Sequence, residues 1–201
     1  ERYVILFNMK DYSQNGESVI LDELLEKIGV VKGFFLDIGA GDGYHLSNTR
    51  YFLEKGWGGL MFDADNKGNN DVIEVIVSKD SIFEMDEDVD LLSIDIDGND
   101  YWVLKGFLEK HDHPKVIICE VNSQLPLYSK KVVQYDAERM WDGTHCYGMS
   151  YLAAVELLHR YGYTIYDVVN NTNIIAVKQD YNIPNKLYSF GLTYSHPEIH
   201  F

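Results

Sequence analysis

Phe34-Phe35-Leu36-Asp37-Ile38-Gly39-Ala40-Gly41-Asp42-Gly43 decides how the rest of this 201-residue chain is read. An apolar run of strand length ends at Asp37, glycines follow at alternate positions, and residues 48–56 resume a helical pattern. Strand, glycine turn and helix start together make a nucleotide-binding element, because glycine lets a ligand approach the backbone closely. Dinucleotide-binding turns read Gly-x-Gly-x-x-Gly, and counted from Gly39 the third glycine would fall on Tyr44. The spacing here is Asp-x-Gly-x-Gly-x-Gly, which argues against a nicotinamide-dependent oxidoreductase. A tight turn that binds nothing is the competing reading, since alternate glycines also occur in ordinary loops.

Outward from this stretch the chain alternates strands and helices. Val19, Ile20, Leu24, Leu25 and Ile28 recur at helical spacing before Gly29, so a helix over 17–28 is expected, within an N-terminal helical extension spanning 1–30. Strands are expected at 33–38, 58–63, 72–77, 89–96, 115–121, 163–169 and 173–178, and further helices at 47–55, 101–108 and 149–161. Ser47 or Asn48 would cap the second helix. Asn170-Asn171-Thr172 reads as the turn of a terminal antiparallel hairpin. This order is that of an α/β three-layer sandwich around a mostly parallel, Rossmann-like sheet. One connection departs from it. Residues 66–71, Asn-Lys-Gly-Asn-Asn-Asp, are too few and too polar for a crossover helix, and residues 78–88 are thin as well, so this side of the sheet should be less covered.

Length and composition suit a single domain over 1–201 with a real core: 46% of residues are hydrophobic and 13% aromatic. With 17 Lys+Arg against 32 Asp+Glu, the net charge of −15 disfavours nucleic acid as a partner. No apolar run reaches membrane-span length, so no membrane is expected. Two cysteines make no disulfide framework, and a cytoplasmic setting is the default. The chain begins at Glu1 and not at Met, as expected if a leader or upstream segment has been removed. A homo-oligomer is allowed.

Chemistry is expected at the strand ends. Asp63 and Asp65 both stand where an acidic residue accepts a ribose diol, although solvated turn carboxylates would look the same. Asp95 and Asp97, two apart, share a face at the end of one strand, and Glu120 and Asn122 do so at the end of the next. Buried charge is costly unless paired or used, so these groups are candidates for catalysis; Asp97 and Asp100 as helix caps are the alternative. Asp95, Asp97 and Glu120 offer hard oxygen ligands, suited to Mg²⁺, Mn²⁺ or Ca²⁺ if a metal takes part. The long connection 123–148, holding Trp141, His145 and Tyr147, is the expected substrate-side insertion, and 180–201 a tail that would cover the site or a partner subunit. His145 is a candidate base, against the alternative of a surface histidine. The remaining histidines, His111, His113, His196 and His200 among them, show no ligand spacing.

Asp37-x-Gly39-x-Gly41-x-Gly43 resembles motif I of class I S-adenosylmethionine (SAM) dependent methyltransferases. Together with Gln14-Asn15-Gly16-Glu17, Asp90-Leu91-Leu92-Ser93-Ile94-Asp95-Ile96-Asp97-Gly98-Asn99-Asp100, Glu120-Val121-Asn122 and Tyr147-Gly148-Met149-Ser150, it is similar to FkbM-type methyltransferases over about residues 12–178. The resemblance implies a seven-stranded sheet of order 3-2-1-4-5-7-6. It implies SAM as cofactor, held by Asp37, Gly39, Gly41, Gly43, Asp63 or Asp65, and Asp95, with Ser78, Lys79 and Asp80 near the adenine. It also implies methyl transfer to a hydroxyl of a small molecule such as a saccharide or other natural product. Asp97, Glu120 or His145 would then be the base. A non-catalytic SAM-binding scaffold or partner module is the alternative reading, motivated by the thin crossovers and the aromatic tail.

Overall fold

The computed structural model describes residues 10–186. The apolar run Tyr3–Phe7, the tail beyond residue 186, and His196 and His200 lie outside the described residues. The elements are α1 (Glu17–Lys27), β1 (Phe34–Ile38), α2 (Arg50–Glu54), β2 (Gly58–Asp63), β3 (Val72–Glu74), β4 (Leu91–Ile94), α3 (Asp100–Lys110), β5 (Val116–Glu120), α4 (Tyr151–Arg160), β6 (Tyr163–Val169), β7 (Asn173–Lys178) and a 3₁₀ turn, Gln179–Tyr181.

The strands form one sheet in the order β3-β2-β1-β4-β5-β7-β6, as the resemblance implied. β1 to β5 run parallel, and β7 lies antiparallel between β5 and β6. Strand alternation sends successive side chains to opposite faces. Leu36, Leu92, Ile94 and Ile117 pack against Val103, Leu104 and Phe107 of α3 and Leu157 and Leu158 of α4. Phe35, Leu91, Val116 and Ile118 pack on the other face against Leu21, Leu24 and Leu25 of α1 and Phe52 of α2. The N-terminal helix is therefore part of the sandwich, and its buried apolar stripe is Leu21, Leu24 and Leu25, while Val19 and Ile20 are only half-buried.

The chain winds from β1 outward to β2 and β3, then crosses back to lay β4 on the other side of β1. That reversal makes the β1–β4 boundary the switch point, where loops diverge and leave a crevice beyond the strand ends.

No helix joins β2 to β3. Parallel pairing survives because β3 is only three residues long and pairs through Met61↔Val72, Phe62↔Ile73 and Asp63↔Glu74. The chain has to retreat only two or three residues, roughly 7–10 Å at the rise of a strand. Side chains make the return: the amides of Asp65, Lys67, Gly68 and Asp71 each bond a carboxylate or amide oxygen two residues back, in consecutive Asx turns. The expected strand over 72–77 is thus cut to 72–74. The helix expected at 47–55 is shorter as well, with Thr49 at its N-cap position, although Ser47 Oγ does accept the Arg50 N–H at 3.0 Å. Residues 78–88 stay irregular, yet Phe83 and Met85 pack on the α3 side of the core. The Lys79 carbonyl comes so near α3 that a Cβ at Gly106 would lie 2.1 Å from it.

Candidate active site

The glycine turn is strapped to β2. Gly39 and Ala40 donate to the Phe62 carbonyl at 2.8 and 3.0 Å, and Gly41 donates to Asp63 Oδ2 at 2.8 Å. Gly39 has φ +92°, and a Cβ there would stand 1.7 Å from the Asp95 carbonyl oxygen. Only glycine lets the end of β4 pass this close over the turn.

Beyond the turn lies a cavity of about 390 Å³, a size proper to a small-molecule site. Asp37, Gly39, Gly41, Asp63, Asp95 and Asp97 all line it. Asp63 and Asp65 are now separated. Asp63 faces the cavity, each of its oxygens already holding one backbone N–H, while Asp65 is exposed and paired with Lys67 outside it. Gly43 and Ser78 are not in the lining. Gly43 packs against Asn69 and Val72, and Ser78 Oγ caps a local turn at the Asp80 amide. Val75, Ile76 and Val77 line that part of the cavity where Ser78 was expected.

Asp37 is buried and accepts a hydrogen bond from Thr49 Oγ1 at 2.5 Å. Burial pushes its carboxyl up to about 6 despite that bond and another from Ser93. Asp100 is fully buried, its oxygens accepting the Ile96 and Gly98 amides at 2.9 Å, and burial raises it to about 6 too. Asp95, Asp100 and Glu120 each bring a carboxylate oxygen within 4.8 Å of the others. Glu120 is 8% exposed, and its Oε2 is buried with no hydrogen-bond partner among the described residues. Burial first, and then the neighbouring carboxylates, drive the pKa values of Asp95 and Glu120 upward.

The expected trio therefore changes membership: Asp100, not Asp97, joins Asp95 and Glu120. The strand ends at Ile94, and Asp97 turns into the left-handed region at φ +52°, so the two-residue alternation no longer holds there. Asp97 instead opens into the cavity, with its pKa raised by burial and by Asp63. Glu120 sits behind the lining, and the His145 side chain is exposed and outside it. Asn122 fastens the insertion: its Nδ2 donates to the His145 and Tyr147 carbonyls at 2.9 and 3.0 Å.

The sequence reading passed over several lining residues. Ser47 and Asn48 appeared only as caps, Trp141 only as part of a long loop, and His45 and Arg139 not at all. His45 stands at the mouth, its ring paired with Asp42, whose carboxyl this hydrogen bond holds at about 2. A lone His or Arg in a loop carries no spacing by which sequence could find it.

A doubly wound sheet of this order, with a glycine turn at the switch point bonded to Asp63 at the end of the neighbouring strand, has the layout of a class I SAM-dependent methyltransferase. Residues 66–165 match the family model described as the Methyltransferase FkbM domain. The chain belongs to the FkbM-type SAM-dependent methyltransferases. The match holds the Asp95–Asp100 stretch and Glu120, is narrower than the expected 12–178, and starts after the glycine turn.

No curated protein matches the chain. Among solved structures, a SAM-dependent methyltransferase from Clostridium acetobutylicum ATCC 824 is similar, with 13% identity, 84% of this chain and 92% of that chain covered, and a TM-score of 0.49. A putative O-methyltransferase from Klebsiella pneumoniae gives 15% identity over 85% of this chain and 83% of that chain, with a TM-score of 0.45. Human N-acetylserotonin methyltransferase, in complex with SAM, gives 13% identity and a TM-score of 0.43, covering 72% of this chain and 47% of that chain. The present chain thus spans less than half of that human protein. The family assignment rests on the matched residues and not on these outlines.

No helix among the described residues is long and apolar enough to cross a membrane.

Proposed function

We propose that this protein transfers the methyl group of SAM to a hydroxyl of a small acceptor, a saccharide or other natural product, in a reducing compartment such as the cytoplasm. The observation that carries the reading is the gathering of Asp95, Asp97, Asp100 and Glu120 beside the glycine turn. A hydroxyl must lose a proton as its oxygen is methylated, and such a site supplies acceptors for one. Bound SAM would supply a methyl group on a sulfonium centre, taken in line by the hydroxyl oxygen with release of S-adenosylhomocysteine.

The chain's own residues then divide the work. Asp63, oriented by the Gly41 amide, would accept the ribose diol. Asp95, at the cavity wall, would face the positive end of the cofactor. Asp97 is the base in this reading, because of the three candidates it alone reaches the cavity; a raised carboxyl pKa also makes it a better proton acceptor. His145 is outside and Glu120 is behind.

Three carboxylates this close need protons or a cation between them. Asp95, Asp100 and Glu120 offer the hard oxygen donors that Mg²⁺ or Mn²⁺ takes. Such an ion would lower the pKa of a bound hydroxyl.

The test is release of S-adenosylhomocysteine from SAM over a panel of hydroxylated saccharides and polyketides, with chelator and Mn²⁺ add-back. Asp97→Asn should slow turnover on the order of 10²-fold or more while SAM affinity changes little. Undiminished turnover would remove Asp97 as the base. Tight SAM binding with no turnover on any acceptor would favour the non-catalytic module.

A further inference from the structure

We infer that Arg139 is a carboxylate-binding residue of the cavity, its guanidinium held ready for an anionic group on a bound ligand. The inference rests on the SAM reading above and deepens it.

Among the described residues, Arg139 is the one Lys or Arg in the lining, against Asp37, Asp63, Asp95 and Asp97. The chain carries 32 acidic residues, so a carboxylate partner would be easy to provide. None of the described carboxylates comes within ion-pair distance of it, whereas Arg50 is paired with both Glu54 and Asp71. Exposed Asp142 feels the Arg139 charge only from farther off. The Arg139 Nε is buried with no hydrogen-bond partner among the described residues. A buried guanidinium N–H left unpaired is costly, which marks it as a group awaiting something.

Its position is built rather than incidental. Asn99 Nδ2 donates to the Asp136 carbonyl at 2.7 Å, and Trp102 Nε1 to the Val133 carbonyl at 2.8 Å, clipping the segment before Arg139 to the start of α3. The Arg139 amide closes a turn onto the Asp136 carbonyl at 3.1 Å. Its stem runs over Gly98, where an added Cβ would lie 3.5 Å from Arg139 Cγ. Asn99 and Gly98 belong to the same turn as Asp97, so the cation is tied to the proposed base's own loop.

The chemistry that fits is a carboxylate, whose two oxygens match the planar fork of a guanidinium. In a cavity lined by four aspartates, the Arg139 guanidinium is the group placed to attract a ligand carboxylate. Two sources exist: the carboxylate of SAM itself, and an acidic acceptor such as a uronic acid.

Calorimetry on the whole chain separates them. SAM and decarboxylated SAM differ by that carboxylate, and D-glucuronate and D-glucose differ by theirs. If SAM is the source, Arg139→Gln weakens SAM at least tenfold, leaves decarboxylated SAM unchanged, and Arg139→Lys recovers only part of the loss. If the acceptor is the source, SAM binds Arg139→Gln as it binds wild type. In that case the wild-type complex with S-adenosylhomocysteine takes up glucuronate in preference to glucose, and the variant loses that preference. Equal weakening of SAM and decarboxylated SAM would overturn the inference, since Arg139 would then only shape the loop. So would a variant unchanged toward all four ligands. A wild-type protein that binds glucuronate but not SAM would sink the cofactor reading and leave the Arg139 assignment standing; one that binds neither sinks both.

Discussion

The two walls of the crevice are built by different means. On the β1–β4–β5 side every strand is buried on both faces, helices back the sheet, and Asp37, Asp100 and Glu120 are held almost out of water. On the β2–β3 side the return is a string of Asx turns, no helix joins the strands, and Ile73, Val75 and Ile76 are 43–59% exposed. One wall sets charges in a fixed, poorly solvated array; the other offers an apolar lip and one oriented carboxylate, Asp63. The contrast shows what a parallel sheet interior is for. Close packing holds groups that would otherwise repel one another, and an edge strand cannot do so.

The largest expected effect sits where the walls meet. Gly39→Ala drives a Cβ into the Asp95 carbonyl and should cost more than about 4 kcal/mol, or prevent folding outright. Gly41→Ala meets open space and only the strain of φ +57°, about 1–2 kcal/mol. Urea denaturation measures both, and equal losses would break the account of the crossing.

Next in size is a pH effect confined to the buried wall. Asp37 and Asp100 titrate at about 6 in the folded chain against 3.8 in the unfolded one. Between those values the folded state holds more protons, so stability is greatest below the unfolded value and is lost as pH rises through 6. The loss is on the order of 2–3 kcal/mol per carboxyl. Asp37→Asn should remove its share of the slope between pH 4 and 7, and a wild-type stability that is flat or rising over that window would contradict it. Asp42, held at about 2, has the opposite sign but acts only below the window.

The smallest effect belongs to the open wall. Asp63→Asn should weaken S-adenosylhomocysteine binding about tenfold, or about 1.4 kcal/mol, by losing a charged acceptor for the ribose. Asp65→Asn, out in solvent beside Lys67, should leave affinity within about twofold. Equal sensitivity of the two would mean that the ribose does not lie against Asp63.

Much of this was legible beforehand. The glycine spacing agreed with the family that the chain matches, and at Gly39 the reason is visible, since a turn that a backbone must cross admits no other residue. Strand and helix positions followed from periodicity, within a few residues at their ends. The missing crossover helix was readable from Asn66 to Asp71, since six polar residues cannot bury a helix face. Illegible were the features that depend on where a chain turns after a strand. Asp97 and Asp100 looked alike as carboxylates beyond β4, and only the left-handed backbone at Asp97 sends one to the cavity and the other to Glu120. Ser78, placed near the adenine, falls to a local turn because β3 ends three residues early.

The layered α/β class, the glycine turn and the acidic strand ends are written in the residues themselves, because each is a local property of residue type and spacing. Only long-range packing sets which acids converge, which of Asp63 and Asp65 faces the cavity, and that Arg139 has no ion-pair partner among the described residues. Those are long-range matters, settled by how backbones from distant parts of the chain pack against one another, and no local pattern encodes them.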